Sequence, residues 1–154
     1  MQEKVVYLTP EGRERFRAEL QELSTTGRHE VEERIRRAKE FSDTVDNAEY
    51  DEAKNAQAFV EGRIHELERI LANAQIIEES HKAEHVRLGC RVTVLTAEGE
   101  ATYHLVGSQE ADPRRGHISN ESPIGRAILG KRVGDEVTVA APAGSFTVKI
   151  VAID

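Results

Sequence analysis

The sequence predicts an α+β protein with an N-terminal antiparallel α-helical coiled-coil hairpin and a C-terminal antiparallel sheet with one short helix. Apolar side chains in the first 80 residues recur at steps of three and four, as they do along one face of a helix. Later residues form short β-prone runs separated by turns that contain Gly or Pro, which is typical of antiparallel strands. Acidic residues outnumber basic ones 19 to 12 in residues 1–80, whereas residues 81–154 hold 9 of each. We therefore expect two domains, at residues 1–79 and 80–154.

The first helix is predicted to run from Pro10 to Ser42, behind an N-cap at Thr9. Threonine is a good N-cap, and proline is favoured at the first helical position. The apolar seam of this helix comprises Phe16, Leu20, Leu23, Val31, Ile35 and Ala38. The Ser, Thr and Gly residues at 24–27 mark a weak point where the helix is expected to kink or restart. At about 1.5 Å per residue, such a helix is roughly 50 Å long.

The second helix is predicted to begin behind Asp46, which forms a capping-box-like pair with Glu49. Its seam comprises Ala53, Ala56, Val60, Ile64, Leu67, Leu71 and Ala74. Narrow seams between charged flanks are typical of coiled coils. Because only residues 41–47 separate the two helices, we expect them to pair within the chain, which would then be a monomer. A purely structural coiled coil that pairs with a second chain is the alternative.

The second half is predicted to form two strand pairs and one short helix. The strands are expected at Arg91–Ala97, Glu100–Val106, Glu136–Ala140 and Phe146–Ile153. The helix is expected between Ser122, its N-cap, and Gly130, with Pro123 as its first residue, since proline favours the start of a helix and glycine its end. A small twisted sheet packed on this helix accommodates all five elements.

Charge, cysteine content and hydropathy exclude several classes of protein. The chain has 21 basic and 28 acidic side chains, a net charge of −7, whereas proteins that bind duplex DNA through its phosphates are usually basic. A single cysteine, Cys90, allows neither an internal disulfide nor a thiolate zinc cluster. The sequence has no apolar run of 18 residues and no apolar signal segment at its N-terminus. We therefore expect a cytoplasmic protein that binds no membrane.

The sequence contains no motif for nucleophilic catalysis, for a phosphate-binding glycine-rich loop or for zinc-dependent hydrolysis. His81 and His85, with Cys90 nearby, have the spacing of metal ligands on a helix. A polar linker between domains is the simpler interpretation of these residues.

Two carboxylates, Asp43 and Asp46, lie three residues apart in the break between the helices. Mg²⁺ is typically held by one or two carboxylates together with water and phosphate oxygens, so this pair is a candidate partial metal site. Spacing alone favours a purely structural role, in which the two residues cap the turn and the second helix. Lys39 and Lys54 lie one or two turns below this tip on opposite helices and could neutralise phosphates there. Ordinary solvated helix faces are the alternative for both lysines.

Three parts of the sequence resemble the Gre family of bacterial transcription elongation and transcript-cleavage factors. Residues 46–54 (DNAEYDEAK) and 57–64 (QAFVEGRI) resemble the second helix of that family. Residues 7–12 (YLTPEG) resemble its N-terminus, and residues 122–131 (SPIGRAILGK) resemble its C-terminal signature. The motifs occur in family order and cover nearly the whole chain, which makes the resemblance specific.

The resemblance implies an accessory factor for RNA polymerase rather than an enzyme. An FKBP-like C-terminal domain would bind the polymerase at the rim of its secondary channel, with Glu121, Ser122 and Pro123 in the contacting segment. The helical arm would pass down the channel towards the catalytic centre. The polymerase would then hydrolyse its own backtracked transcript.

The resemblance also assigns roles to the tip. Asp43 and Asp46 fall at the two acidic positions that help to hold the second catalytic Mg²⁺ of the polymerase and to position a water. Lys39 and Lys54 fall at basic positions associated with the extruded 3′ end of the transcript. Because the metal is shared with the polymerase, the free chain is expected to bind no metal tightly.

The tip departs from the usual family pattern, Gly-Asp-Leu-x-Glu-Asn-Ala-Glu-Tyr. Residues 42–50 read Ser-Asp-Thr-Val-Asp-Asn-Ala-Glu-Tyr, so Asp46 is one methylene shorter than the family's glutamate. Catalytic groups tolerate displacements of only about half an ångström. The main alternative is therefore a non-cleaving Gre-like factor that occupies the channel and inhibits or pauses transcription. A third hypothesis, a prolyl isomerase with a coiled-coil handle, is disfavoured because this half has only Tyr103 and Phe146 as aromatic residues.

Overall fold

A computed structural model of the chain describes residues 4–40, 47–78 and 83–154. These residues form two compact units, one made of Met1–Arg13 with Ala74–Asp154 and the other of Glu14–Asn73. The predicted fold class is confirmed, because a helical hairpin occupies the N-terminal half and a sheet with a short helix occupies the C-terminal half. The expected domain boundary between residues 79 and 80 falls outside the described ranges and stays a prediction.

Three consecutive segments form the first arm of the hairpin: α1 (Pro10–Glu22), a π-helical turn (Leu23–Gly27) and α2 (Arg28–Glu40). The N-cap prediction for Thr9 is confirmed, since its Oγ1 accepts a hydrogen bond from the backbone N–H of Gly12 at 3.0 Å. The π-helical turn coincides with the predicted weak point. There the backbone N–H of Arg28 reaches the carbonyl of Leu23, five residues back, which widens one turn relative to an α-helix. The first arm thus stays helical through residues 24–27, where its backbone forms one wider turn and the helix does not end.

The second arm is α3 (Ala48–Ala72), which packs against α2. Five of the predicted seam residues are buried: Val31, Ala38, Ala53, Ile64 and Leu67. The other helical seam residues are partly buried, as expected for a narrow interface between two helices. The prediction is wrong for Ala74, because α3 ends at Ala72 and Ala74 begins a strand.

Two bidentate ion pairs join the arms beside the seam. Arg28 donates hydrogen bonds of 2.8 and 3.1 Å to Glu61, and Arg63 donates hydrogen bonds of 2.7 and 3.0 Å to Glu19. The hydrogen bond from Arg28 lowers the pKa of the Glu61 carboxyl, and the one to Glu19 raises the pKa of Arg63. Paired planar groups of this kind are geometrically specific, so they help to fix the register of the two arms.

Five strands form the main sheet: β3 (Arg91–Thr96), β4 (Gly99–Val106), β5 (His117–Ser119), β6 (Glu136–Ala141) and β7 (Gly144–Ile153). Their order is β5-β4-β3-β7-β6. The four predicted strands are confirmed to within two residues at each end. The sheet is not wholly antiparallel as expected, because the unpredicted β5 pairs in parallel with β4. The predicted helix is α4 (Pro123–Ile128), which contacts β6.

A second, smaller sheet joins the two ends of the helical region. Strands β1 (Val6–Leu8) and β2 (Ala74–Ile76) pair in parallel, with Val6 opposite Ala74. Gly107 lies against β1, where a Cβ would overlap the carbonyl of Tyr7. The chain therefore enters and leaves the helical region through neighbouring strands.

The core of the main sheet is aliphatic. Its fully buried residues include Val92, Val94, Leu105 and Ile150 from the strands and Ile128 from α4. Val92 and Val94 alternate with more exposed residues along β3, as expected for a sheet with one buried face. Within the described residues, no helix is long and apolar enough to span a bilayer.

Candidate functional site

The predicted acidic residues Asp43 and Asp46 lie in segment 41–46, outside the described residues, so their roles stay predictions. The structure describes the frame on either side of that segment. Helix α2 ends at Glu40, and the described chain resumes at Asn47, immediately before α3.

A single side chain, Asn47, caps the helix ends on both sides of the tip. Its Oδ1 accepts a hydrogen bond from the backbone N–H of Tyr50 at 3.1 Å, which is the N-cap contact of α3. Its Nδ2 donates to the backbone carbonyl of Ala38, in the last turn of α2, at 2.8 Å. Helices leave N–H groups unpaired at their start and carbonyls at their end, and an amide side chain supplies both an acceptor and a donor. Asn47 thus ties the last turn of α2 to the first turn of α3.

The expectation that Asp46 caps the second helix is wrong, because Asn47 takes that position. Aspartate and asparagine are nearly equal as N-caps, so sequence alone could not rank two such neighbours. The result bears on function because α3 does not need the Asp46 carboxylate as its cap. The strongest purely structural explanation for that residue is therefore removed.

Two alanines lie at the seam immediately below the cap. Ala38 is 6% exposed and Ala53 is fully buried. The distance between packed helices depends on the side chains at their contact, so two methyl groups let α2 and α3 approach closely here.

The two predicted basic residues near the tip both have neutral partners. The Lys39 Nζ lies 5.9 Å from the centroid of the Tyr50 ring, within the range of a cation–π interaction. The Lys54 Nζ donates a hydrogen bond to the side-chain oxygen of Gln57 at 3.2 Å. Both lysines are exposed, and neither forms an ion pair with a carboxylate of the described residues. No described carboxylate therefore neutralises their positive charges.

The other predicted binding residues, Glu121, Ser122 and Pro123, form the start of α4. The Ser122 Oγ accepts a hydrogen bond from the backbone N–H of Gly125 at 3.1 Å and donates one to the carbonyl of Ser119 at 2.7 Å. Pro123 occupies the first turn of the helix. The predicted N-cap and helix start are confirmed, whereas the binding roles of the three residues stay predictions.

Glu121 presents its carboxylate at the surface. It lies 2.9 Å from the Nζ of Lys4, and both side chains are more than half exposed. The hydrogen bond to Glu121 raises the pKa of Lys4. An exposed pair of this kind contributes little to stability, so Glu121 can exchange Lys4 for another partner at small cost.

A groove of about 500 Å³ adjoins this segment. It is bordered by Asn120, the residue before Glu121, and by Leu129, at the end of α4. Its other walls combine four apolar or aromatic side chains with one amide, one anion and one cation: Tyr7, Ile76, Ile77, Leu88, Gln75, Glu78 and Arg87. This mixture suits a protein segment better than a small polar ligand.

The metal-ligand pattern around Cys90 is not assembled among the described residues. Cys90 is buried, and the exposed His85 accepts a hydrogen bond from the Nε of Arg132 at 3.0 Å. His81 lies outside the described residues. Across the described ranges, no group of three His, Cys, Asp or Glu side chains is placed to hold a metal ion.

Comparison with known families decides the relationship. The family described as "Transcription elongation factor, N-terminal" matches residues 6–76, and the one described as "Transcription elongation factor, GreA/GreB, C-term" matches residues 80–154. The chain belongs to the GreA/GreB family of transcription elongation factors. The resemblance to the Gre family is thereby confirmed over nearly the whole sequence.

Individual members of the GreA/GreB family match over nearly their full length. Transcription elongation factor GreA of Roseiflexus sp. (strain RS-1) is 53% identical, with 99% of each chain covered. GreA of Bacillus subtilis (strain 168) is 50% identical, with 99% of this chain and 98% of that protein covered. Among solved structures, the GreA factor homolog 1 (Gfh1) protein of Thermus thermophilus is 32% identical, with 98% and 99% covered and a TM-score of 0.45.

Sequence reasoning missed two residues of the GreA/GreB tip frame. Asn47 follows Asp46, which has the same preference for the N-cap position, so the sequence does not single out Asn47. Tyr50 lies within the recognised motif, yet only the fold brings its ring to Lys39 on the other helix. No periodicity in the sequence signals a contact between the last turn of one helix and the first turn of the next.

Proposed function

We propose that this member of the GreA/GreB family acts on RNA polymerase and stimulates cleavage of backtracked transcripts. The C-terminal sheet domain docks at the rim of the secondary channel, and the helical arm enters the channel. The observation that carries the proposal is the doubly capped tip, in which Asn47 bonds to both helices and gives the acidic segment a fixed base. The polymerase performs the hydrolysis, and the 3′ end of its transcript is the substrate.

The tip residues fit a shared Mg²⁺ site. Asp43 and Asp46 would hold the ion, since carboxylate oxygens are among its preferred ligands, and Asn47 relieves Asp46 of the capping role. When bound, the ion supplies charge that activates water and stabilises the reacting phosphate in two-metal cleavage. Two protein ligands alone hold Mg²⁺ weakly, so the docked arm supplies them at a high effective concentration instead.

Lys39 and Lys54 would neutralise the phosphates of the extruded transcript. Both lysines are exposed, and the partners that the described residues give them, the Tyr50 ring and the Gln57 amide, are uncharged. The Tyr50 contact also limits where the Lys39 ammonium can lie, so this cation is held close to the cap of α3.

The segment from Glu121 to Pro123 would dock on the polymerase without rearrangement. Ser122 is hydrogen-bonded on both sides, to Ser119 and to Gly125. Binding by a segment that is already ordered avoids part of the entropy cost of association. The adjoining groove offers apolar area beside these residues.

A cleavage assay tests this function. The chain and Mg²⁺ are added to a backtracked elongation complex of bacterial RNA polymerase, and we expect short RNA fragments released from the transcript 3′ end. Asp43→Ala should abolish their release. Asp46→Asn should do the same because it removes the carboxylate charge. The substitution preserves the side-chain volume, and Asn47 still caps α3. Circular dichroism controls for the helices.

Two outcomes would count against the cleavage proposal. Wild-type protein that binds the polymerase but releases no fragments shows that the tip does not support cleavage. Cleavage by Asp46→Asn at the wild-type rate shows that the Asp46 carboxylate is not a metal ligand.

The alternative is a factor that occupies the channel without cleaving. It is favoured by the short Asp46 side chain and by Ser42 and Thr44, which replace the usual Gly and Leu. This function predicts competition with a cleaving factor and longer pauses without new short RNA, so the same gel separates the two functions.

We also propose that the chain works as a monomer in the cytoplasm, where bacterial transcription takes place. Both apolar seams of the hairpin are used within the chain, so they are not available to a second copy. Light scattering should give the mass of one chain, and twice that mass would contradict the proposal.

A further inference from the structure

A neutral surface with one exposed aromatic ring lies on the outer side of α3. Phe59 is 76% exposed, more than any other large apolar residue of the described ranges. Asn55, Ala58 and Gly62 are exposed as well, at spacings that place them beside Phe59 on one helix face. We call these four residues the Phe59 patch.

Nothing within the described chain accounts for Gly62. Glycine destabilises a helix interior relative to alanine, and a Cβ at position 62 would meet no atom within 4 Å. At Gly12 and Gly125, by contrast, a Cβ would overlap Glu110 and Ser119, so close packing requires those glycines. Gly62 instead leaves a flat strip beside Phe59 that another molecule can approach closely.

The two charged residues on either side of Gly62 form ion pairs across the hairpin. Arg63, one turn after Phe59, donates two hydrogen bonds to Glu19 across the hairpin and does not cover the ring. Glu61 is likewise paired with Arg28. The four patch residues are therefore uncharged, and the charges on either side of Gly62 are compensated. Lys54, one turn before Ala58, donates a hydrogen bond to the neutral Gln57 amide and lies outside the patch. Because the patch itself offers no cation to a phosphate backbone, it suits an uncharged protein surface better than a nucleic acid.

The area of the patch argues against a second copy of the chain as its partner. One phenylalanine buries about 150–250 Å², whereas a stable dimer buries about 800 Å² on each partner. Asn55, Ala58 and Gly62 are too small to supply the difference. The patch can contribute only as an addition to a larger interface made elsewhere on the chain.

We propose that the Phe59 patch docks against an uncharged wall of RNA polymerase as the arm enters its channel. This inference rests on the function proposed above, in which the C-terminal domain provides the larger interface. Phe59 supplies the apolar contact, and Gly62 lets the wall approach the helix backbone. Contact along α3 would steady the arm below the tip.

Binding measurements with full-length chain and bacterial core RNA polymerase test the proposal. Phe59→Ala should raise the half-saturating concentration about fivefold to thirtyfold, the range of an interface anchor, and should leave the cleavage rate at saturation unchanged. Phe59→Leu should restore part of the affinity. Gly62→Ala should raise the melting temperature of the helices and yet weaken binding, and Gly62→Leu should weaken it further.

The matched control is His65→Ala, which truncates an exposed side chain of the same helix beyond the patch. It should leave affinity unchanged. If the wild-type chain binds the polymerase and neither Phe59→Ala nor Gly62→Leu weakens that binding, the docking role of the patch is overturned. The proposed function is then unaffected. A wild-type chain that does not bind the polymerase overturns the proposed function and this inference together. Loss of saturated cleavage by Phe59→Ala at wild-type affinity also overturns the docking role.

Discussion

The carboxylate of Glu110 receives two hydrogen bonds from Thr9, one of 2.6 Å from the backbone N–H and one of 2.5 Å from Oγ1. Thr9 is 5% exposed and Glu110 is 7% exposed, so solvent has little access to either bond. Thr9 is also the N-cap of α1. A carboxylate from the C-terminal half of the sequence therefore fixes the residue that begins the first helix.

Glu110→Ala is expected to destabilise the unit that contains both residues by about 3 kcal/mol, because it leaves buried donors of Thr9 unsatisfied. Glu110→Gln should cost less, since the amide oxygen still accepts one hydrogen bond. Urea denaturation measures both changes, and hydrogen exchange at the amides of Thr9 and Gly12 locates them. Equal stability of Glu110→Ala and the wild type would show that the Thr9 contacts carry no net stability.

Replacing Asn47 separates the two capping functions at the tip. Asn47→Asp keeps the acceptor for the Tyr50 N–H but loses the donor to Ala38, which should cost about 1 kcal/mol. Asn47→Ala loses both contacts and should cost about 2 kcal/mol. Hydrogen exchange in the first turn of α3 should accelerate more in Asn47→Ala than in Asn47→Asp. The same loss in both variants would mean that only the contact with Ala38 matters.

Sequence predicts best those parts of the fold in which buried positions repeat at regular intervals along the chain. The seam from Val31 to Leu67 repeats over many helical turns, and strands such as Arg91–Thr96 alternate between buried and open faces. Repetition of this kind reports which face is buried before any partner is known.

The parts that sequence could not predict depend on distant residues. Strands β1, β2 and β5 have three residues each, too few to show alternation. Glu110 is a charged residue at the end of a three-residue 3₁₀ helix, and it is buried where its carboxylate meets Thr9, 101 residues away in sequence. At the tip, Asp46 and Asn47 have the same local preference, so the choice between them depends on the carbonyl of Ala38 on the opposite helix.

His104 is predicted to titrate below its ordinary pKa of 6.5. Burial of its ring lowers the pKa of His104, and the neighbouring His117 and Arg91 lower it further, while the Gly89 backbone and Glu110 oppose them. The two histidine rings are 5.3 Å apart. An NMR titration should show the low pKa of His104, and His117→Gln should recover only part of the difference because burial remains. Complete recovery would show that His117, and not burial, dominates.

The same shift predicts the pH dependence of stability. The folded state binds a proton on His104 less readily than the unfolded state does. The contribution of His104 to the unfolding free energy is therefore fully present above pH 6.5. It is lost as the pH falls from there through the lower folded pKa. His104→Gln should remove this component from the pH profile of the unfolding free energy. A variant with the wild-type profile would assign the dependence to other groups.

Gly125→Ala tests the docking segment. Alanine normally stabilises a helix relative to glycine, but a Cβ at position 125 would overlap the carbonyl of Ser119. Overpacking of this kind costs about 1–3 kcal/mol and should displace Ser122 from its two hydrogen bonds. We therefore expect a lower melting temperature and weaker binding to RNA polymerase. Gly62→Ala is the matched control for stability, because the open space around it should raise the melting temperature. A Gly125→Ala protein with wild-type stability and affinity would show that the turn before α4 tolerates rearrangement and is not a rigid docking element.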